Sequence, residues 1–180
     1  MNLTALTSPA EIIQQGFLDS LACAPLLPAA SERVIDVGSG AGFPAIPLAI
    51  VKPRAEFTLV EPSRKKVTFL RHVIRRLKLT TVRVRPARAE ALQEENDMLE
   101  AFDVALARAV APLPDVGRLV WPFLRPAGIF LAQTGSGAHI DHEVEHVRRA
   151  GFEIANEMVV PPEFGKPGRR VLALRRSIIR

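Results

Sequence analysis

The chain has 180 residues, 48% of them hydrophobic and 24% charged, which is enough apolar material for the core of one α/β domain without cross-links. Its only cysteine, Cys23, excludes an internal disulfide and a multi-cysteine zinc site, and no apolar run reaches the ~18–20 residues of a membrane span. A net charge of +5 points toward a polyanionic partner.

Residues 1–30 read as a short helical segment ahead of a core over 31–180, the whole forming one domain. Apolar runs at 33–37, 57–61, 82–85, 102–107, 129–133, 153–160 and 170–174 predict seven strands. Between them, 44–51, 64–78, 113–124 and 139–150 predict helices. Pro44 and Pro47 fit only the first turn of theirs, where a missing N–H costs little. In 64–78, Val67, Leu70, Val73, Ile74 and Leu77 recur at helical spacing, so that face should pack on the sheet. The Pro- and Gly-rich stretch from Pro161 to Gly168 predicts a hairpin loop that would make the last strand antiparallel. Strands alternating with helices imply a doubly wound, mostly parallel sheet with helices on both faces.

Charge is segregated along the chain. Between Glu61 and Glu90 there is no acid, while Arg64, Lys65, Lys66, Arg71, Arg75, Arg76 and further cations lie inside. From Glu90 to Asp103 the sign reverses. Arg64, Lys65, Arg71, Arg75 and Arg76 on one amphipathic helix are therefore candidates for a phosphate-binding face.

Asp36-Val37-Gly38-Ser39-Gly40-Ala41-Gly42 follows a strand and precedes a helix, the setting of a nucleotide-binding glycine loop. The dinucleotide fingerprint is G-x-G-x-x-G. Here the spacing is G-x-G-x-G with an acid two positions earlier, which favours S-adenosyl-L-methionine over NAD. Glu61 closes the next strand at about the ~20-residue offset where an acid meets ribose hydroxyls. Asp36, Gly38, Gly40, Gly42 and Glu61 are thus candidate cofactor residues.

Asn2-Leu3-Thr4-Ala5, Phe17-Leu18-Asp19-Ser20-Leu21, the glycine loop continued through Phe43-Pro44, Ile46-Pro47-Leu48-Ala49-Ile50, Lys65-Lys66-Val67-Thr68-Phe69-Leu70 and Arg108-Ala109 extend the pattern well beyond a generic motif. With these blocks the sequence resembles the small-subunit (16S) ribosomal RNA methyltransferase G family (RsmG/GidB, glucose-inhibited division protein B) over nearly its whole length. The resemblance implies a Rossmann-like class I S-adenosylmethionine-dependent methyltransferase that modifies N7 of a guanosine in 16S rRNA. It also implies that Phe43 lines the cofactor loop, that Ala89 and Glu90 lie beside the adenine, and that Arg108 closes the reaction side as the candidate catalytic residue. The expected partner is 16S rRNA or the small ribosomal subunit, with a monomeric, cytoplasmic protein and no membrane. Three features depart from the family pattern. The family usually carries a helical segment ahead of the Asn-Leu-Thr block, whereas this sequence starts at Met1 directly before it; Gln15-Gly16 stand where Arg-His is typical, and Thr134-Gly135 replace a Lys-Gly pair.

Guanine N7 already carries an exposed lone pair, so transfer needs alignment and no base. Ala111-Pro112-Leu113-Pro114 differs from the Asp/Asn-Pro-Pro-aromatic motif of exocyclic amine methylation, and Cys23 lies far from the Pro-Cys position of a cytosine-C5 enzyme. Phe43 and Trp121 are candidates for stacking a base, Trp121 also reading as core. His72, His139, His142 and His146 show no metal-ligand spacing, so no metal is expected. For Arg108 the alternative to a substrate contact is an ion pair with Asp103 or Asp115. Competing functions are methylation of a small molecule or protein, and an inactive ribosome- or RNA-binding paralogue.

Overall fold

A computed structural model describes residues 8–30, 32–108, 111–135, 139–165 and 167–178. The Asn2-Leu3-Thr4-Ala5 block and Ala109 lie outside the described residues, as do the side chains of His139 and His142.

The N-terminal segment is a helical run: α1 (Pro9–Glu11), a π-helical stretch (Ile12–Leu18), α2 (Asp19–Leu21) and a 3-10 turn (Ala24–Leu26). Ser8 and Glu11 form a reciprocal capping box at its start. Then follow β1 (Arg33–Val37), α3 (Ala45–Val51), β2 (Glu56–Val60), α4 (Arg64–Arg76), β3 (Val82–Arg85), α5 (Ala89–Leu92), β4 (Phe102–Arg108), α6 (Leu113–Val120), β5 (Leu124–Thr134), α7 (His139–Arg149), β6 (Phe152–Val159) and β7 (Arg170–Arg176).

All seven strands share one sheet in the order β3-β2-β1-β4-β5-β7-β6. Pairing is parallel from β3 to β5, and β7 runs antiparallel to both β5 and β6, as the hairpin predicts. The strand order reverses between β1 and β4, so the crevice at their carboxyl ends is the ligand position of an open α/β sheet.

Two apolar layers cover the sheet. One joins Cys23, Leu27, Ile46, Leu48 and Leu70 to the sheet face carrying Val34, Leu59 and Leu106. The other packs Leu92, Val116, Val120 and Val147 on Ile35, Phe102, Phe130 and Leu174. Cys23 is fully buried, and burial first, then the charge of Asp19, pushes its thiol far above the usual range. Such a thiol is packing material, not a nucleophile.

Several expected boundaries shift. The helix expected over 64–78 stops at Arg76, because Lys78 takes φ +54° and turns the chain out. The helix expected over 113–124 gives way at Trp121 to a 3-10 turn that accommodates Pro122. β5 starts at Leu124, five residues before the expected strand, and α5 is an addition to the expected helices, since four residues carry no period. No described helix is long and apolar enough to cross a membrane.

Candidate active site

At the end of β1 the chain turns through Gly38 and Gly40, at φ +72° and +59°. Side chains resist this left-handed region. The N–H groups of Gly38 and Ser39 both donate to the Val60 carbonyl, at 2.9 and 3.1 Å, and bind the loop to the end of β2. Gly42, at φ +91°, serves packing: a Cβ there would meet Ile46 at 2.6 Å and Leu70 at 3.1 Å.

Glu61 lies one residue beyond β2, a step outside the expected strand 57–61. That step turns its carboxylate back into the loop. It is 4% exposed, accepting from the Gly40 N–H at 2.9 Å with one oxygen and from the Ser63 N–H at 2.8 Å with the other. A carboxylate has about four acceptor positions, so two hydrogen bonds leave capacity for a diol.

Asp36, inside β1, is 1% exposed and its Oδ2 has no hydrogen-bond partner. Burial pushes its carboxyl up to about 7; Glu61 adds to the rise, while Ser39 and the Arg108 cation oppose it. A buried carboxyl with an orphan oxygen fits an ammonium group, a buried carboxylate fits ribose hydroxyls, and glycines without Cβ leave room between them. S-adenosylmethionine carries both groups, and the residues present fit it.

The shift has a stability consequence. In the unfolded chain Asp36 ionises near its ordinary value of 3.8, while in the fold it keeps its proton to about 7. Between those values the folded state binds more protons, so this group's contribution is complete at low pH and declines as pH rises toward 7. Urea titrations from pH 5 to 7 should show Asp36→Asn with a less negative stability slope than wild type, by up to about 1.4 kcal/mol per pH unit. Parallel slopes would mean that Asp36 is already ionised.

Arg108, the last residue of β4, reaches neither Asp103 nor Asp115. Asp103 pairs with Arg125 and accepts from the Glu32 and Arg33 N–H groups, at the opposite edge of the sheet, and Asp115 pairs with Arg118. Arg108 Nη1 instead donates to the Gln15 carbonyl at 2.8 Å and to Asp19 Oδ2 at 3.1 Å. Asp19 is buried and shares the same oxygen with Arg169 at 3.1 Å, and its carbonyl accepts from Gln133 at 2.7 Å. Burial pulls the Arg108 guanidinium below its ordinary value, and Asp19 opposes that. The guanidinium carbon also stands 5.3 Å from the centre of the Phe43 ring. Arg108 therefore fastens the N-terminal helix across the end of β4.

Gly16 explains one departure from the family pattern. A Cβ at this buried position would lie 2.8 Å from the tip of the Phe43 ring. The ring occupies that space, with Phe17 edge-on at 5.1 Å.

Of the other expected site residues, Ala89 is buried and Glu90 exposed at the start of α5, following β3. Arg64, Lys65, Arg71, Arg75 and Arg76 are all exposed on α4, and none pairs with a carboxylate of a described residue. Lys65, Thr68, Phe69 and His72 line a shallow cavity of about 400 Å³ there. Trp121 lies at the amino edge of the sheet, beneath Arg176 and edge-on to Phe152 at 5.0 Å, where it cannot stack a base at the carboxyl edge. Among the described residues no group of three His, Cys, Asp or Glu is placed to hold a metal. Sequence reasoning missed Asp19, Gln133 and Arg169 as neighbours of Arg108. The signal for Asp19 was an acid isolated within the apolar run from Phe17 to Cys23.

A family model described as rRNA small subunit methyltransferase G matches residues 1–166. A protein of that name from Thermoanaerobacter pseudethanolicus is 39% identical over 168 residues, covering 93% of this chain and 69% of the relative. Another from Sorangium cellulosum is 46% identical over 180 residues, covering 98% and 73%. Among solved structures, Aeropyrum pernix fibrillarin with bound S-adenosyl-L-methionine aligns at TM-score 0.67 and 20% identity, covering 87% of this chain and 76% of that one. At that identity the likeness concerns the fold.

Proposed function

The chain belongs to the rRNA small subunit methyltransferase G family, and from that premise we propose that it methylates N7 of a guanosine in 16S rRNA, as a monomeric cytoplasmic enzyme. The observation that carries the reading is the Asp36, Gly40 and Glu61 constellation at the end of β1. Asp36 would hold the ammonium of S-adenosylmethionine, Glu61 the ribose hydroxyls, and Ala89 and Glu90 would flank the adenine. When bound, the cofactor would supply a sulfonium-activated methyl group to the N7 lone pair and leave as the neutral thioether, with the positive charge then on the base. The chain's own task is alignment, with reacting atoms brought to ~3–3.5 Å. Arg108 contributes by holding Phe43 and the N-terminal helix in register with the loop, its charge turned toward Asp19 and away from a base that becomes cationic.

Helix α4 supports an RNA substrate. Arg64, Lys65 and Lys66 fill its first turn with no acid among them, opposing the helix dipole at a cost of about 0.3–1 kcal/mol each. A polyanion laid on that face would reverse the sign of the effect. Replacing Arg64, Arg71 and Arg75 together by Gln should reduce the slope of log affinity against log salt by ~0.7–0.9 per lost phosphate contact. An unchanged slope would place the RNA elsewhere.

Mass mapping of modified nucleosides in 16S rRNA from cells with and without the gene tests the whole reading. Loss of one 7-methylguanosine is expected, and an unchanged inventory would reject it.

A further inference from the structure

We propose that Phe17 is the stacking platform for the target guanine and stabilises the cation that forms on it; the inference rests on the reading above and names a residue within it. A base held for in-line attack needs a flat partner at the carboxyl edge of the sheet, where the methyl group must be presented. The chain has no tyrosine, nine phenylalanines and one tryptophan. Phe57, Phe102, Phe123, Phe130 and Phe152 are fully buried, and Trp121 is occupied at the opposite edge. Phe43 is at the right edge but half-buried, its ring engaged by Arg108 over it, Phe17 against it and Gly16 at its tip.

Of the other three, Phe69 lies on α4 and Phe164, 37% exposed, lies in the loop before β7, whereas Phe17 is 39% exposed and braced on Phe43 beside the glycine loop. The π-helical stretch that carries it is wider than an α-helical turn: the Asp19 N–H reaches back five residues to the Gln14 carbonyl. Such stretches are rare and gather at functional sites. This one is clamped at its next turn by Arg108 on Asp19 and on the Gln15 carbonyl, so Phe17 sits on a fixed support. Ile13, one turn earlier, is also exposed, which leaves apolar surface at the site of a strongly basic chain.

The chemistry favours an aromatic face over an aliphatic one. The base is neutral before transfer and cationic after it, and a π face attracts a cation. Stacking therefore strengthens as the reaction proceeds, and this kind of interaction raises the rate at saturation as well as affinity. A leucine of similar bulk could cover the base but not follow its change of charge.

The test is single-turnover methylation of 16S rRNA at saturating RNA and cofactor. Phe17→Leu should lower the rate at least ~10-fold while S-adenosylmethionine affinity by calorimetry stays within ~2-fold of wild type. Phe17→Trp should recover at least about half of the wild-type rate, which a purely packing role would not do. Phe164→Leu, at the other exposed phenylalanine, should match wild type. If Phe17→Leu is as fast as wild type, if Phe17→Trp is as slow as Phe17→Leu, or if the loss falls on Phe164→Leu, the inference is overturned. With an active wild-type protein, each of these outcomes bears on Phe17 alone and leaves the functional reading standing. A wild-type protein that leaves the rRNA unmethylated rejects both.

Discussion

Gly40→Val should fold and yet bind S-adenosylmethionine at least ~100-fold more weakly than wild type, a loss of about 2.7 kcal/mol. A Cβ built at Gly40 meets nothing closer than the Gly38 carbonyl at 3.8 Å, so the folded protein has room for it. The cost to folding is then confined to φ +59°, about 1–2 kcal/mol for a residue with a side chain. The space it enters adjoins the Gly40 N–H that Glu61 holds, which is where a bound ribose would lie. Gly42→Val gives the contrast. Its Cβ would overlap Ile46 at 2.6 Å, so stability should suffer before binding is ever measured. Calorimetry on folded Gly40→Val is the deciding measurement, and wild-type affinity would remove the loop from the cofactor site.

Arg108→Lys should fold, bind the cofactor nearly as wild type does, and transfer methyl groups to rRNA at least ~10-fold more slowly, about 1.4 kcal/mol of transition-state stabilisation. Lysine keeps the charge that Asp19 requires. What it loses is the planar guanidinium that reaches the Gln15 carbonyl and Asp19 together while standing over Phe43. The N-terminal helix would then sit less firmly against the ring that borders the glycine loop. Arg108→Ala should behave differently: buried Asp19 would lose its Arg108 partner, at a cost toward the low end of the ~3–5 kcal/mol of a broken buried pair. A single-turnover rate for Arg108→Lys equal to wild type would show that this positioning does not bear on methyl transfer.

The parts of this molecule legible in the sequence were those with local causes. Strand β1, the glycine turn and the acid after β2 follow from apolar runs and from glycine's freedom in φ, both written within a few neighbouring residues. The closing antiparallel strand was legible for the same reason, since Pro161, Pro162, Gly165 and Gly168 mark its turn. The partner of Arg108 was not. Asp103 and Asp115 are near it in sequence, whereas Asp19 is 89 residues away and meets it only because the N-terminal helix crosses the end of β4. Gly16 was legible as a departure but not as a cause: its missing Cβ is explained by Phe43, a residue on another element. Helix α5 is too short to carry a period, and the early part of β5 contains Pro126 and Gly128, which interrupt the apolar run.

Strand β7 lies between β5 and β6 although it follows both in the chain. When β6 is synthesised it has no neighbour to pair with, and β5 stands as a bare edge. Neither is covered until Arg170–Arg176 slides between them. This end of the sheet is therefore assembled out of the order in which it is made. A chain interrupted before Arg170 would expose two unpaired strand edges at once, a far greater hazard of association than one missing outer strand.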